Sequence, residues 1–194
     1  MKQSYLGQVL AAGVLGLSMS AADAAYIVDT GPATSFSAFT LGAQQQLGAT
    51  FNVAAASRIT SIEGWLGDGI GRISIRLHQG PHPEGTVLFS TEVDVTDAVQ
   101  GFKGASGLDW QVDAGDYTLS FAGIGAFVGG MRTTPARPLA SDWFLNPLNG
   151  GWRATTQHFG WRVGADVTPV PLPGALGCVL LGLGVLGMRT RRCD

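Results

Sequence analysis

Gly71-Arg72-Ile73-Ser74-Ile75-Arg76-Leu77-His78 alternates apolar with polar side chains at almost every step, and that two-residue period decides the fold. Successive side chains of an extended strand point to opposite faces, so Ile73, Ile75 and Leu77 are expected to face a core and Arg72, Ser74, Arg76 and His78 to face water. The pattern recurs, complete or nearly so, at 51–53, 59–66 and 87–95. Leu108-Asp109-Trp110-Gln111-Val112 and Tyr117-Thr118-Leu119-Ser120-Phe121 flank Asp113-Ala114-Gly115-Asp116, which predicts a β-hairpin. Two more strands are predicted at 125–131 and 158–167; in the second, Phe159, Trp161 and Val163 alternate with Gly160, Arg162 and Gly164. Breakers separate these runs at 67–69, 80–85, 101–107, 123–125 and 146–151, and the two prolines of 133–138 predict a surface loop. Short strands with turn signals about every 8–12 residues, and no helical stripe, predict an all-β fold: a single β-sandwich or jelly-roll domain.

Both ends of the chain carry a different kind of signal. Lys2 precedes an apolar run over 6–19, and Ala22-Asp23-Ala24 has the small-x-small pattern that signal peptidase reads. A signal-peptide helix over 1–24 is therefore expected, passing through the Sec translocon and cut between Ala24 and Ala25. At the other end Val170-Pro171-Leu172-Pro173-Gly174 opens an apolar run to Met188, followed by Arg189-Thr190-Arg191-Arg192. A helix over 174–188 reaches about 22 Å, short of a hydrocarbon core of about 30 Å. Residues 170–173 and the arginine stems make up part of the difference, so a marginal transmembrane helix is expected. With Arg189, Arg191 and Arg192 as the cytoplasmic stop, the body lies outside. A buried helix of a soluble protein is the alternative at either end.

The chain thus divides into 1–24, an extracytoplasmic domain over 25–166, and a tail over 167–194. About 145 residues between the signals suffice for one domain with its own core. That body holds no cysteine; Cys178 and Cys193 both lie in the tail, at what should be different membrane depths, so they are not expected to pair. Eight basic residues (Arg58, Arg72, Arg76, Lys103, Arg132, Arg137, Arg153 and Arg162) stand against twelve acidic ones over 25–170. This balance offers no basic stripe and argues against nucleic acid as a partner.

The constellations that carry chemistry are sparse. His78 and His82 have a metal-like spacing, but Pro81 and Pro83 flank His82 and forbid stacking on a helix face. Asp94, Asp97, Asp109, Asp113 and Asp116 are possible oxygen ligands for calcium, yet no Asp-x-Asp-x-Asp-Gly loop is present and turn chemistry accounts for most of them. There is no Gly-x-Ser-x-Gly elbow, and Glu63 and Glu92 as a glycosidase pair compete with ordinary surface positions. The expectation is no enzyme, no cofactor and no metal. Five tryptophans remain: Trp65, Trp110, Trp143, Trp152 and Trp161. Trp110 and Trp161 fall on alternating strands and are expected in the core. Trp143 and Trp152 flank a Pro/Asn/Gly-rich loop and are candidates to stack on a pyranose, with Asp142, Asn146, Asn149 and Arg153 as polar neighbours.

The tail Val170-Pro171-Leu172-Pro173-Gly174, the Gly/Leu-rich span and the arginine cluster resemble the PEP-CTERM sorting signal, in particular its Val-Pro-Leu-Pro-Ala subtype. Leu172 stands where the name-giving motif has Glu, and Gly174 where the subtype has Ala. The body is similar to the β-sandwich domains that precede this tail, in 59–65, 83–88, 106–110 and 114–117. The resemblance implies secretion by a Gram-negative bacterium, an inner-membrane-tethered precursor with its body in the periplasm, and processing by an exosortase near Pro171-Leu172-Pro173. It further implies a place at the cell surface or in an exopolysaccharide or biofilm matrix, and no catalytic residues. The expected function is a noncatalytic surface or matrix protein; the alternative is a carbohydrate-binding module that holds exopolysaccharide through exposed tryptophans.

Overall fold

The computed structural model describes residues 25–34, 38–134, 139–146, 148 and 150–167; the expected signal peptide and sorting tail, and Asn149, lie outside the described residues. The described residues form twelve strands and no helix. In chain order they are β1 (Ala25–Asp29), β2 (Ala38–Gly42), β3 (Leu47–Val53), β4 (Ser57–Gly67), β5 (Gly71–Gln79), β6 (Val87–Val95), β7 (Gly101–Val112), β8 (Gly115–Ile124), β9 (Val128–Arg132), β10 (Ser141–Asn146), β11 (Gly151–Thr155) and β12 (Trp161–Val167).

All strand pairs are antiparallel and make two six-stranded sheets. In sheet A, β7 lies on one edge of β4, while β12 and β9 follow each other along the opposite edge and carry β1 and β2 outside them. Sheet B runs β11-β10-β3-β8-β5-β6. The pairs nest: β2 with β9, β3 with β8, β4 with β7 and β5 with β6, alternating between the sheets.

One core fills the space between the sheets. Sheet B contributes Leu47, Ala49, Phe51, Ile73, Ile75, Leu77, Leu119 and Phe121, and sheet A Leu41, Ile59, Ile62, Leu66, Met131, Trp161 and Val163, each at most 2% exposed. Burying one such large side chain is worth about 1.5–3 kcal/mol. Trp161 and Phe121 meet edge to face across the gap with ring centroids 4.9 Å apart. Trp110 is buried too, stacked on Phe89 at 5.3 Å.

Several features depart from the sequence reading; residues 101–107, read as a breaker, are the first part of β7 and pair with β4. Ile73, Ile75 and Leu77 do line the core, but Ser74 and His78 on the opposite face are also buried, His78 because the 80–86 loop folds back over it. Next, β7 and β8 are not a hairpin: Val112 pairs with Ser57 in sheet A, whereas Gly115 pairs with Val53 in sheet B. The Asp113-Ala114 link is a corner between sheets, closed by the Tyr117 hydroxyl donating to the Asp113 carbonyl at 3.1 Å. Alternation and turn residues are the same for a hairpin and for such a corner, because both place one face of each strand on a core. Finally, both neighbours of β4 skip Thr60, so Ile59 and Ile62, three apart, share the inner face.

Candidate functional site

Trp143 and Trp152 lie on the two strands of the β10–β11 hairpin, one on either side of the turn, in which Gly150 stands at φ +66°. Trp143-Phe144-Leu145 shows no alternation because both faces of β10 are used. Phe144 points inward to Phe39, with centroids 6.1 Å apart, while Trp143 and Leu145 take the outer face of sheet B.

Register places Ala154, Trp143 and Gly48 in one row across β11, β10 and β3, and Leu145 opposite Trp152 in the next. Trp152 starts two strand spacings from β3, roughly 9.6 Å. Yet a Cβ built on Gly48 would lie 3.5 Å from Trp152 Cζ3 and 3.6 Å from Trp143 Cβ. The Trp152 indole must therefore lie down across β10 rather than stand off the sheet. Gly48 makes room for it, and the same hypothetical Cβ would sit 2.7 Å from the Leu119 carbonyl oxygen. Both tryptophans are half-buried, as two rings bedded on a sheet surface must be.

The bed is stiff. Trp143 Nε1 donates to Thr50 Oγ1 at 2.9 Å, and Thr50 Oγ1 lies 2.9 Å from Thr118 Oγ1. These hydroxyls reach the Pro81 and Gly80 carbonyls at 3.2 and 2.9 Å, tying the tryptophan to the 80–86 loop. From that loop His82 meets the Trp143 ring edge to face, with centroids 4.5 Å apart. Beneath it His78 Nδ1 donates to the Gly85 carbonyl at 3.1 Å, which leaves Nε2 to accept from the Ser120 hydroxyl at 2.8 Å. Burial lowers the His78 pKa, opposed by the Gly85 hydrogen bond and aided by the charge of Arg76, so the ring is neutral at physiological pH. His78 and His82 are thus engaged separately and share no ligand position.

A second polar cluster sits on the inner side of the same strand. Asp142 is fully buried; its Oδ2 accepts from His158 Nδ1 at 2.9 Å, and its Oδ1 from Trp161 Nε1 at 3.1 Å and the Phe159 amide at 3.4 Å. Burial raises the Asp142 pKa and outweighs the three donated hydrogen bonds. Asp142 therefore joins sheet B to β12 and does not face Trp143, contrary to its reading as a neighbour that holds sugar hydroxyls. Arg153 pairs with Phe144, so it takes the face opposite to Trp152. Asn146 ends β10.

The remaining candidates are dispersed. Asp94 pairs with Arg72 and Asp97 with Lys103, so their charges are answered locally, and Asp116 accepts a hydrogen bond from Asn52. Among the described residues no three His, Cys, Asp or Glu side chains converge as a metal site would require. Glu63 lies on β4 of sheet A and Glu92 on β6 of sheet B. The residues of the platform that the sequence left unnoticed are Gly48 and Thr50, which only register brings beside Trp143; His82, noticed there for its spacing from His78, reaches Trp143 from the 80–86 loop. No protein-family model matches the chain, and no curated protein matches it.

Proposed function

We propose that this is a secreted, exosortase-processed jelly-roll protein of the cell surface or exopolysaccharide matrix that holds polysaccharide on the outer face of sheet B and performs no catalysis. The observation that carries the binding role is the pair Trp143 and Trp152, bedded together across Gly48 on one sheet face. An indole lying along a sheet turns its flat face outward, and a flat apolar face suits a pyranose ring. The nested pairing of β2 to β9 supports the jelly-roll reading, an architecture that lectin domains use. The two end signals support the address.

Two measurements test the parts separately. The full-length protein, expressed in an exosortase-bearing host, is expected in the cell-surface or medium fraction with its tail removed; a cytoplasmic, uncut product would refute the address. The purified protein is expected to be retarded in a polysaccharide affinity gel, and Trp143→Ala with Trp152→Ala to lose about tenfold or more in affinity. Unchanged retardation would remove the basis of the binding role and leave a matrix scaffold.

A further inference from the structure

Resting on the reading of this face as a polysaccharide site, we propose that its ligand is an acidic polysaccharide whose carboxylate is held by Arg76. Register sets Trp143, Gly48, Ser120 and Arg76 in a single row across β10, β3, β8 and β5, all on the outer face of sheet B. The row spans three strand spacings, roughly 14 Å between its end residues. A short stretch of sugar chain stacked on the indoles bridges that distance.

Among the described arginines and lysine, Arg76 and Arg153 make no ion pair, and of the two only Arg76 shares the outer face of sheet B with the tryptophans. Arg58, Arg72, Lys103, Arg132 and Arg162 are each ion-paired, Arg72 by both Asp94 and Glu92 on this same face. Arg76 is exposed and makes no hydrogen bond or ion pair among the described residues. Its neighbours in the row are Ser120 and Ser90, and the Ser120 hydroxyl is committed to His78. The acids nearest along the face, Glu92, Asp94 and Asp116, are engaged with Arg72 and Asn52. A guanidinium free of protein carboxylates, level with two bedded indoles, has the planar fork that receives a carboxylate in two parallel hydrogen bonds. A neutral glycan would leave that fork unused.

The test uses one polymer in two charge states. The full-length protein in detergent is titrated with polygalacturonate and with the same polymer after methyl esterification. Tighter binding of the free acid is expected, weakened by added salt. Arg76→Gln is expected to lower affinity for the acid about fivefold and to leave the ester unaffected, with Arg76→Lys in between. Trp143→Ala and Trp152→Ala should weaken both. Equal binding of acid and ester, unmoved by Arg76→Gln, overturns the proposal while the tryptophan effects keep the platform. Binding of neither polymer overturns both.

Discussion

At the scale of single residues, the environments of the buried His78 and Asp142 act in opposite directions. His78 has a pKa below its ordinary 6.5 because burial disfavours the imidazolium. A base with a depressed folded pKa adds stability that is present above the unfolded value and is lost as pH falls from there through the folded one. Wild-type protein is expected to lose stability below about pH 6.5, and His78→Gln to flatten that part of the curve, read from urea midpoints between pH 7 and 5. Asp142 behaves oppositely: its folded pKa is raised above the ordinary 3.8, so its contribution is complete below that value and is lost as pH rises through the folded one. Relative to Asp142→Asn, the wild type should therefore gain stability as the solution is acidified toward pH 4. Asp142→Ala, which leaves Trp161 Nε1 and His158 without their acceptor, should cost about 3 kcal/mol, measured by urea unfolding at pH 7. Neither role is legible in the sequence. A histidine in an alternating strand reads as solvent-facing, and an aspartate beside a tryptophan reads as a surface group, until a loop or a second sheet closes over it.

At the scale of elements, the platform depends on one hairpin. Gly150, at φ +66°, occupies the left-handed region that costs an alanine about 1 kcal/mol. Gly150→Ala is expected to lower the unfolding free energy by that amount and to weaken polysaccharide binding, since Trp152 sits two residues further along the edge strand β11. Gly48→Ala should cost about 1–3 kcal/mol, because its Cβ would meet the Leu119 carbonyl at 2.7 Å as well as the Trp152 ring. Thermal denaturation separates these from Trp152→Ala, which removes the ring without straining the backbone. The elements that sequence identifies best are those whose apolar and polar residues alternate, even where, as in β5 and β8, loops cover part of the polar face. β5, β6 and β8 announce themselves by period, whereas β10, apolar on both faces, does not. The β7 to β8 link shows the limit from the other side, since β8 and the second half of β7 are read as strands but assigned the wrong partners, and the first half of β7 is read as a turn.

At the scale of the whole molecule, the fold is closed by strands far apart in sequence. β1 pairs with β12, setting Ala25 opposite Ala165, and β12 adds Trp161, Val163 and Ala165 to the core. Ala25 and the end of β12, where the expected signal-peptidase site and sorting tail adjoin the body, therefore lie at one end, whereas Gly150 and Trp152 lie toward the other, near the Leu47 end of β3. Because the core is incomplete without β12, a chain ending at Gly160 is expected to show no cooperative urea transition, and the intact chain to refold in milliseconds to seconds, as non-local β topologies do. A sharp transition in the truncated protein would mean that β1 and β12 are dispensable.

The sequence by itself determined the all-β class, the core rows of β5 and β8, the burial of Trp110 and Trp161, and the pattern of the two ends. These are local matters, set by period, by turn residues and by runs of one polarity. Tertiary structure alone decided which strands pair, which sheet each joins, and that Trp143 and Trp152 share a face with Gly48, Thr50 and Arg76. The reason is physical: alternation says which side of a strand is dry, and many partners satisfy that condition equally. Register between strands distant in sequence is chosen only when the whole core packs.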